Sequence, residues 1–260
     1  MNITVFSVQF WSLVWLKVLL NLKSEASKSY LNYIWWVLEP AIFIAVYYVV
    51  FGILLNQGSS DFVAFLICGN IPFLWYSRTV GNCSNALSDG AGLMNQINIP
   101  KIFFPTVVIL QDLVKTMVVF LLMLIVMVIM GFQPTLAWIG LLPVIFTQLI
   151  FVSGIAIIFC SLIPFLPDLR FIVSTSSILL MFGSGVFYDP MTILIPEHRE
   201  IFFLNPLANL IQYYRDVIMH SQLPDLAGFL TSFFISLALL CIAIGLLKKF
   251  DQRYPRIVIQ

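Results

Sequence analysis

Charge is scarce in this sequence: Asp, Glu, Lys and Arg together make up 10% of 260 residues, while hydrophobic residues make up 61%. Soluble domains carry roughly 25% charged residues, and a water-soluble fold this apolar would expose patches that aggregate. Histidine is scarcer still. His198 and His220 stand far apart without His-x-x-x-His or His-Glu-x-x-His spacing, which excludes the zinc-hydrolase patterns, and His198-Arg199-Glu200 reads as a solvated loop corner. A Gly-x-x-x-x-Gly-Lys-Ser/Thr phosphate loop is absent, and with it that route to ATP hydrolysis. The cysteines Cys68, Cys83, Cys160 and Cys241 show no Cys-x-x-Cys spacing and read as small, buried, inert thiols. No basic start precedes a short apolar core, since the first base is Lys17 after apolar residues, so no cleaved secretory signal is expected. A net charge of +1 gives no global attraction to nucleic acid.

Long apolar runs are what the chain has instead. A spanning helix needs roughly 20 mostly apolar residues, and six stretches qualify, at about 35–55, 62–81, 112–131, 137–162, 171–187 and 226–247. The expectation is an all-α, polytopic membrane protein forming a single transmembrane domain over 1–260. The fifth stretch is short and carries Ser174, Thr175, Ser176 and Ser177, which suits a helix packed on protein rather than lipid. Eleven of the 13 Lys and Arg fall before the first stretch, flank or occupy the segment between the second and third, precede the fifth or follow the sixth. Basic loops stay in the cytoplasm, so both termini are expected inside.

Three segments outside these stretches carry information. Over 10–28, Lys17, Asn21, Ser24 and Lys28 recur at helical spacing while Trp11, Trp15, Val18, Leu19 and Leu22 cover much of the rest. That describes an amphipathic helix in the cytoplasmic interface, serving as an anchor or as a platform for a partner. Segment 83–105 is rich in Asn, Ser and Gly and ends Ile99-Pro100-Lys101-Ile102-Phe103-Phe104-Pro105, a turn with a base and aromatics expected to be exposed, either an ordinary loop or a docking knob. Segment 188–225 holds Leu204-Asn205-Pro206-Leu207, in which Asn205 caps a helix and Pro206 takes its first position. From there to Met219 the helix is about 21 Å long, too short to span. A helix that dips into the outer leaflet and returns must be buried in protein or line a wet cavity.

Ionisable residues within the stretches are few. Glu39, Asp112 and Lys115 lie near cytoplasmic ends, with Asp112 and Lys115 spaced to pair on one face. No string of acids at mid-depth, of the kind a proton- or sodium-coupled carrier uses, is present. A pore without its own energy source needs an external motor or runs downhill.

Several runs resemble one family over nearly the whole chain. Lys28-Ser29-Tyr30-Leu31-Asn32-Tyr33-Ile34-Trp35-Trp36-Val37-Leu38-Glu39-Pro40, with Asn32 where glycine is usual, is similar to the first signature of the type-2 ABC exporter permeases that move polysaccharides, the O-antigen (Wzm-like) and capsule-export permeases. Pro100-Lys101 with Pro105 is similar to their cytoplasmic Pro-Arg/Lys element. Pro167-Asp168-Leu169-Arg170 resembles the turn before their fifth span, without the usual Arg-Asp order. Gly185-Val186-Phe187-Tyr188, Ile195-Pro196 and Asn205-Pro206-Leu207 through Tyr214-Arg215 resemble their outer signature. The resemblance implies a homodimer in the bacterial cytoplasmic (inner) membrane, paired with two ATPase subunits that bind the ATP, this chain itself binding no cofactor or metal. It implies a polyprenyl-diphosphate-linked glycan as cargo. It places Lys17, Lys28, Pro100 and Lys101 toward the ATPase and Tyr188, Asn205, Pro206 and Arg215 at an outer gate.

Aromatic residues bear on cargo. Phe (24), Tyr (9) and Trp (6) are abundant, and Trp35, Trp36, Phe43, Tyr47, Tyr48 and Phe51 cluster in the first stretch. Sugars stack their C–H faces on rings, and Tyr47, Tyr48 and Phe51 lie deeper than an interface belt, so they are the lining candidates. The alternatives are a permease for another amphiphile (capsule, teichoic acid or a drug) and a membrane enzyme of glycolipid synthesis.

Overall fold

A computed structural model describes residues 7–27, 34–54, 61–96 and 99–257. Among them every regular element is helical. Helix α1 (Val8–Ser27) is followed by α2 (Trp35–Tyr47), which continues as a π-helical stretch, Tyr48–Leu54. Then come α3 (Phe62–Ser84), the short α4 (Ala86–Asp89) and α5 (Ala91–Gln96), and the long α6 (Phe103–Ile129). A 3-10 turn, Leu136–Gly140, leads into α7 (Leu141–Leu162), then α8 (Leu169–Gly183), α9 (Pro190–Ile193), α10 (Pro196–Phe202) and α11 (Pro206–Ile218). Helices α12 (Leu226–Lys249) and α13 (Tyr254–Ile257) close the chain.

Among the described residues, three helical segments are long and apolar enough to cross a membrane: Phe103–Ile129, Leu136–Leu162 and Leu226–Lys249. Their outward faces are bare hydrocarbon, as Leu121, Ile125 and Ile129 on α6 and Phe234 and Ile242 on α12 show, and this is what lipid tails accept. Helix α3 is as long, at 23 residues, but Asn70, Pro72 and Arg78 interrupt it and it is the most enclosed helix of the bundle. Helices α2 and α8 are shorter apolar segments.

Small residues set the closest approach. Helices α7 and α12 form the most extensive pair, and a side chain at Gly154 would meet the Leu240 backbone nitrogen at 2.9 Å. Lipid tails supply no hydrophobic force between helices, so such close van der Waals contact is what holds the pair. Helix α12 buries only Ser232, Ser236, Ala243 and Leu247. Cys241 is therefore exposed, contrary to expectation, while Cys68, Cys83 and Cys160 are buried.

Helix α1 has two apolar faces rather than one. Phe10, Val14, Val18, Leu22 and Ala26, at intervals of four, pack on α6, whereas Trp11, Trp15, Leu16, Leu19 and Leu20 are exposed. Helix α8 also departs from expectation: only Val173 and Ser177 are buried, because α8 touches α3 and α7 along one edge while Phe171, Ile172, Leu179 and Phe182 face outward.

Polar contacts, some buried and some exposed, tie the helices together toward two poles. At one, the Asp112–Lys115 spacing forms a pair at 3.5 Å, Asn82 Nδ2 donates to Asp112 Oδ2 at 2.9 Å, and Lys115 Nζ donates to Glu25 Oε1 of α1 at 2.7 Å. Arg78 and Glu39 join α3 to α2 at 2.7 Å. Arg170 Nη2 reaches Ser88 Oγ at 3.4 Å, and Tyr254 donates to the Ser161 carbonyl at 3.2 Å. Lys17, Arg78, Lys101, Arg170, Lys248 and Lys249 belong to these elements, so this is the basic pole. The far pole holds the start of α3, the end of α8 and helices α9 to α11.

Candidate functional site

Helices α3 and α8 run antiparallel with an open groove of about 490 Å³ between them. Asn70, Ser77 and Ser84 line it from α3; Arg170, Ser174 and Ser177 line it from α8; Phe43 of α2 closes one side. The α3 residues repeat at seven-residue intervals, two helical turns, so they share one face over about 21 Å. Arg170 and Ser84 stand at the basic pole and Asn70 toward the far pole, so the groove runs along the direction in which the bundle would cross a membrane. Its walls combine apolar surface with hydroxyls and amides, which suits a long amphiphile better than an ion.

The far pole is built on one short helix. Asn205 Oδ1 accepts from the Leu207 backbone N–H at 3.0 Å and Pro206 occupies the first position, the N-terminus read from the sequence. The 13 residues of α11 reach about 20 Å. The Asn205 amide also donates to Ser184 Oγ at 2.9 Å and the Gly183 carbonyl at 3.3 Å, fastening α11 to the end of α8.

Arg215, the last basic residue of α11, is 2% exposed. Its guanidinium carbon lies 3.5 Å from the Phe65 ring centre, and its Nη2 donates to the Val186 carbonyl at 3.0 Å. Two glycines make this possible. A Cβ at Gly69 would sit 2.6 Å from Arg215 Nη2, and Gly185 adopts φ +67°, turning the chain so that the Val186 carbonyl faces the arginine. Arg215, Tyr188, Asp189, Gln212 and His220 border a second cavity of about 370 Å³ with Phe62 and Phe187. Burial pushes the Tyr188 phenol above its ordinary value, so it stays protonated and donates to the Phe182 carbonyl at 2.9 Å. Asp216 points elsewhere and accepts from Gln212 at 3.0 Å.

No family model matches the chain. The O-antigen export system permease protein RfbA of Myxococcus xanthus is 27% identical over 235 residues, 90% of each chain. An RfbA of Klebsiella pneumoniae is 25% identical over 240 residues, 92% of each. The chain is similar to polysaccharide-export permeases. The polysialic acid transport protein KpsM of Escherichia coli adds 25% identity over 231 residues, 84% of this chain and 88% of its own. The resemblance read from the sequence is thereby borne out, and the relatives are transport permeases rather than enzymes.

The structure distributes the expected site residues unevenly. Tyr188 and Arg215 border one cavity, with Asn205 and Pro206 at the other end of the same helix. Of the aromatics on α2 and its π-helical extension, Phe43 reaches the groove, whereas Tyr47 packs at its far end, 4.2 Å from the Phe187 ring centre, with its hydroxyl on Met181 Sδ at 3.6 Å. Tyr48 faces outward, and the Phe51 side chain lies outside the described residues.

At the basic pole Lys17 is exposed and lines a cleft of about 240 Å³ with Asn21, Asp89 and Gly90, so α1 and segment 83–105 do come together. Lys28 lies outside the described residues. Lys101 is the correction: it is 6% exposed, with its Nζ on the Ile99 carbonyl at 3.2 Å and its backbone N–H on Asp251 Oδ1 at 3.3 Å. Phe103, Phe104 and Pro105 are buried as well, because α6 begins at Phe103 and packs that turn against α1. Pro100 is half-buried. Sequence reasoning missed Gly69, Asn70 and Phe65, although an Asn inside an apolar run was a usable signal.

Proposed function

We propose that this chain is the membrane permease of an ATP-driven exporter of polysaccharide. The observation that carries it is similarity to O-antigen export permeases along about nine-tenths of the chain, joined to an amphiphilic groove running along α3 from Asn70 to Ser84. The motor is a separate ATPase, two copies of which serve a permease homodimer. The cargo is a glycan on a polyprenyl-diphosphate lipid.

In this reading α2 with its π-helical extension, α3, α6, α7, α8 and α12 are six spans. Both termini and 83–105 lie in the cytoplasm, and 188–225 lies outside the bacterial inner membrane, with α11 as a half-helix. The apolar outer faces of α1 meet headgroups through Trp11 and Trp15, leaving Lys17 and the α4–α5 segment for the ATPase. The exposed face of α8 is where a second copy is expected to complete the conduit. The experiment is deletion and complementation with the neighbouring ATPase present. Loss of surface polymer with lipid-linked glycan accumulating inside supports export. Loss of the lipid-linked glycan itself would instead make the chain an enzyme of its synthesis.

A further inference from the structure

Asn70 carries a chemical mismatch that the packing of the bundle does not account for. Its side chain is 1% exposed, yet neither its amide nitrogen nor its amide oxygen has a hydrogen-bond partner among the described residues. A buried amide without partners is costly, and an apolar residue of similar volume would avoid the cost. Some buried polar groups find partners, as Gln148 Nε2 does on the Pro72 carbonyl at 2.8 Å and Ser84 and Ser161 do on their own helices. Others, such as Thr79 Oγ1, Trp75 Nε1 and Tyr214 OH, have none among the described residues, but of the groups left so Asn70 is the one that lines the groove, and it lacks a partner at both ends of its amide. Asn70 is also a wall of the 490 Å³ groove, on the same α3 face as Ser77 and Ser84 and opposite Ser177 of α8. It sits eight residues into α3, about 12 Å from its far end, where the groove approaches the Tyr47–Phe187 contact.

We infer that Asn70 is the hydroxyl-reading group of the groove, pairing in passing with the sugar units of the exported chain. This rests on the export reading and adds a residue and a chemistry to it. A carboxamide presents an acceptor and two donors with no charge. A sugar hydroxyl is donor and acceptor at once, so adjacent hydroxyls satisfy both ends of the amide. A phosphate accepts only and would leave the amide oxygen facing an anion. An alkyl chain offers neither group and would pass more easily beside leucine. Arg170, the one ionisable residue bordering the groove, stands at the opposite end. A neutral amide also suits a moving polymer: each unit exchanges the same two weak bonds for the next.

The test compares Asn70→Leu and Asn70→Ser with wild type in cells that hold the partner ATPase, together with thermal unfolding of each purified permease. Asn70→Leu should slow delivery of polymer to the surface about tenfold, the loss expected of one to two net hydrogen bonds. Its unfolding temperature should stay level or rise, because no bond within the protein is lost and an unpaired amide is removed. Asn70→Ser, which keeps a donor and an acceptor, should recover part of the rate. Wild-type delivery by Asn70→Leu would overturn the inference. So would a lowered unfolding temperature or loss of assembly, which would make Asn70 glue between helices or between copies. Failure of the export reading looks different: removing the whole chain would then leave surface polymer unchanged.

Discussion

Arg215 lies with its guanidinium carbon 3.5 Å from the centre of the Phe65 ring, so the short helix α11 is clamped to the start of α3 by an arginine that is almost entirely buried. Guanidinium is weakly hydrated and stacks on aromatic faces, which lowers the cost of burial. The clamp needs Gly69. A methyl group there would stand 2.6 Å from Nη2 and 3.0 Å from the Val186 carbonyl oxygen, and backbone yields less readily than a side-chain tip. Gly69→Ala is therefore expected to destabilise the protein by about 1–3 kcal/mol, the usual cost of overpacking. In a double-mutant cycle with Arg215→Ala, read by thermal unfolding in detergent, the two costs should be strongly non-additive. Simple additivity would show that Gly69 does not act through the clamp.

Asn205 is the second fastening of the same helix. Asn205→Ala removes a cap worth on the order of 1 kcal/mol and the bond to Ser184 at 2.9 Å. That is too little to unfold the bundle, yet enough to bias a gate balanced by a similar margin. Membrane levels should stay near wild type while surface polymer falls and lipid-linked polymer accumulates inside. Unchanged surface polymer would reduce α11 to a static lid.

The Asp112–Lys115 pair predicts an asymmetry. Both side chains are buried, at 1% and 4% exposure, and each has a further partner, Asn82 for Asp112 and Glu25 for Lys115. Lys115→Met alone leaves Asp112 without its cation and should cost about 3–5 kcal/mol. Lys115→Met with Asp112→Leu removes both charges and should be distinctly milder. Equal losses in the single and double variants, measured by thermal unfolding, would mean that the charges themselves are unimportant.

Topology is open to direct measurement. With the 11-to-2 distribution of Lys and Arg, a cysteine at His198 should react with an impermeant thiol reagent in intact cells, and one at Ser88 should react only after permeabilisation. The converse pattern would invert the orientation.

Local chemistry was readable without the fold. The Asn205-Pro206 start of α11, the pairing of Asp112 with Lys115 and the three long apolar segments each depend on neighbours within a few turns of one helix, or on composition alone, so spacing in the sequence determines them. Lys101 was misjudged because its burial is decided by Asp251, 150 residues away, and by α1 packing beneath the start of α6. Tyr48 shows the same dependence: depth along a helix is a sequence property, but the side it faces, here outward, depends on where α3 and α8 lie. The Arg215–Phe65–Gly69 clamp and the groove beside Asn70 exist only once α3 has met α11 and α8. In lipid, polarity cannot sort one face of a helix from another as it does in water, and close steric fit between distant segments decides the arrangement instead.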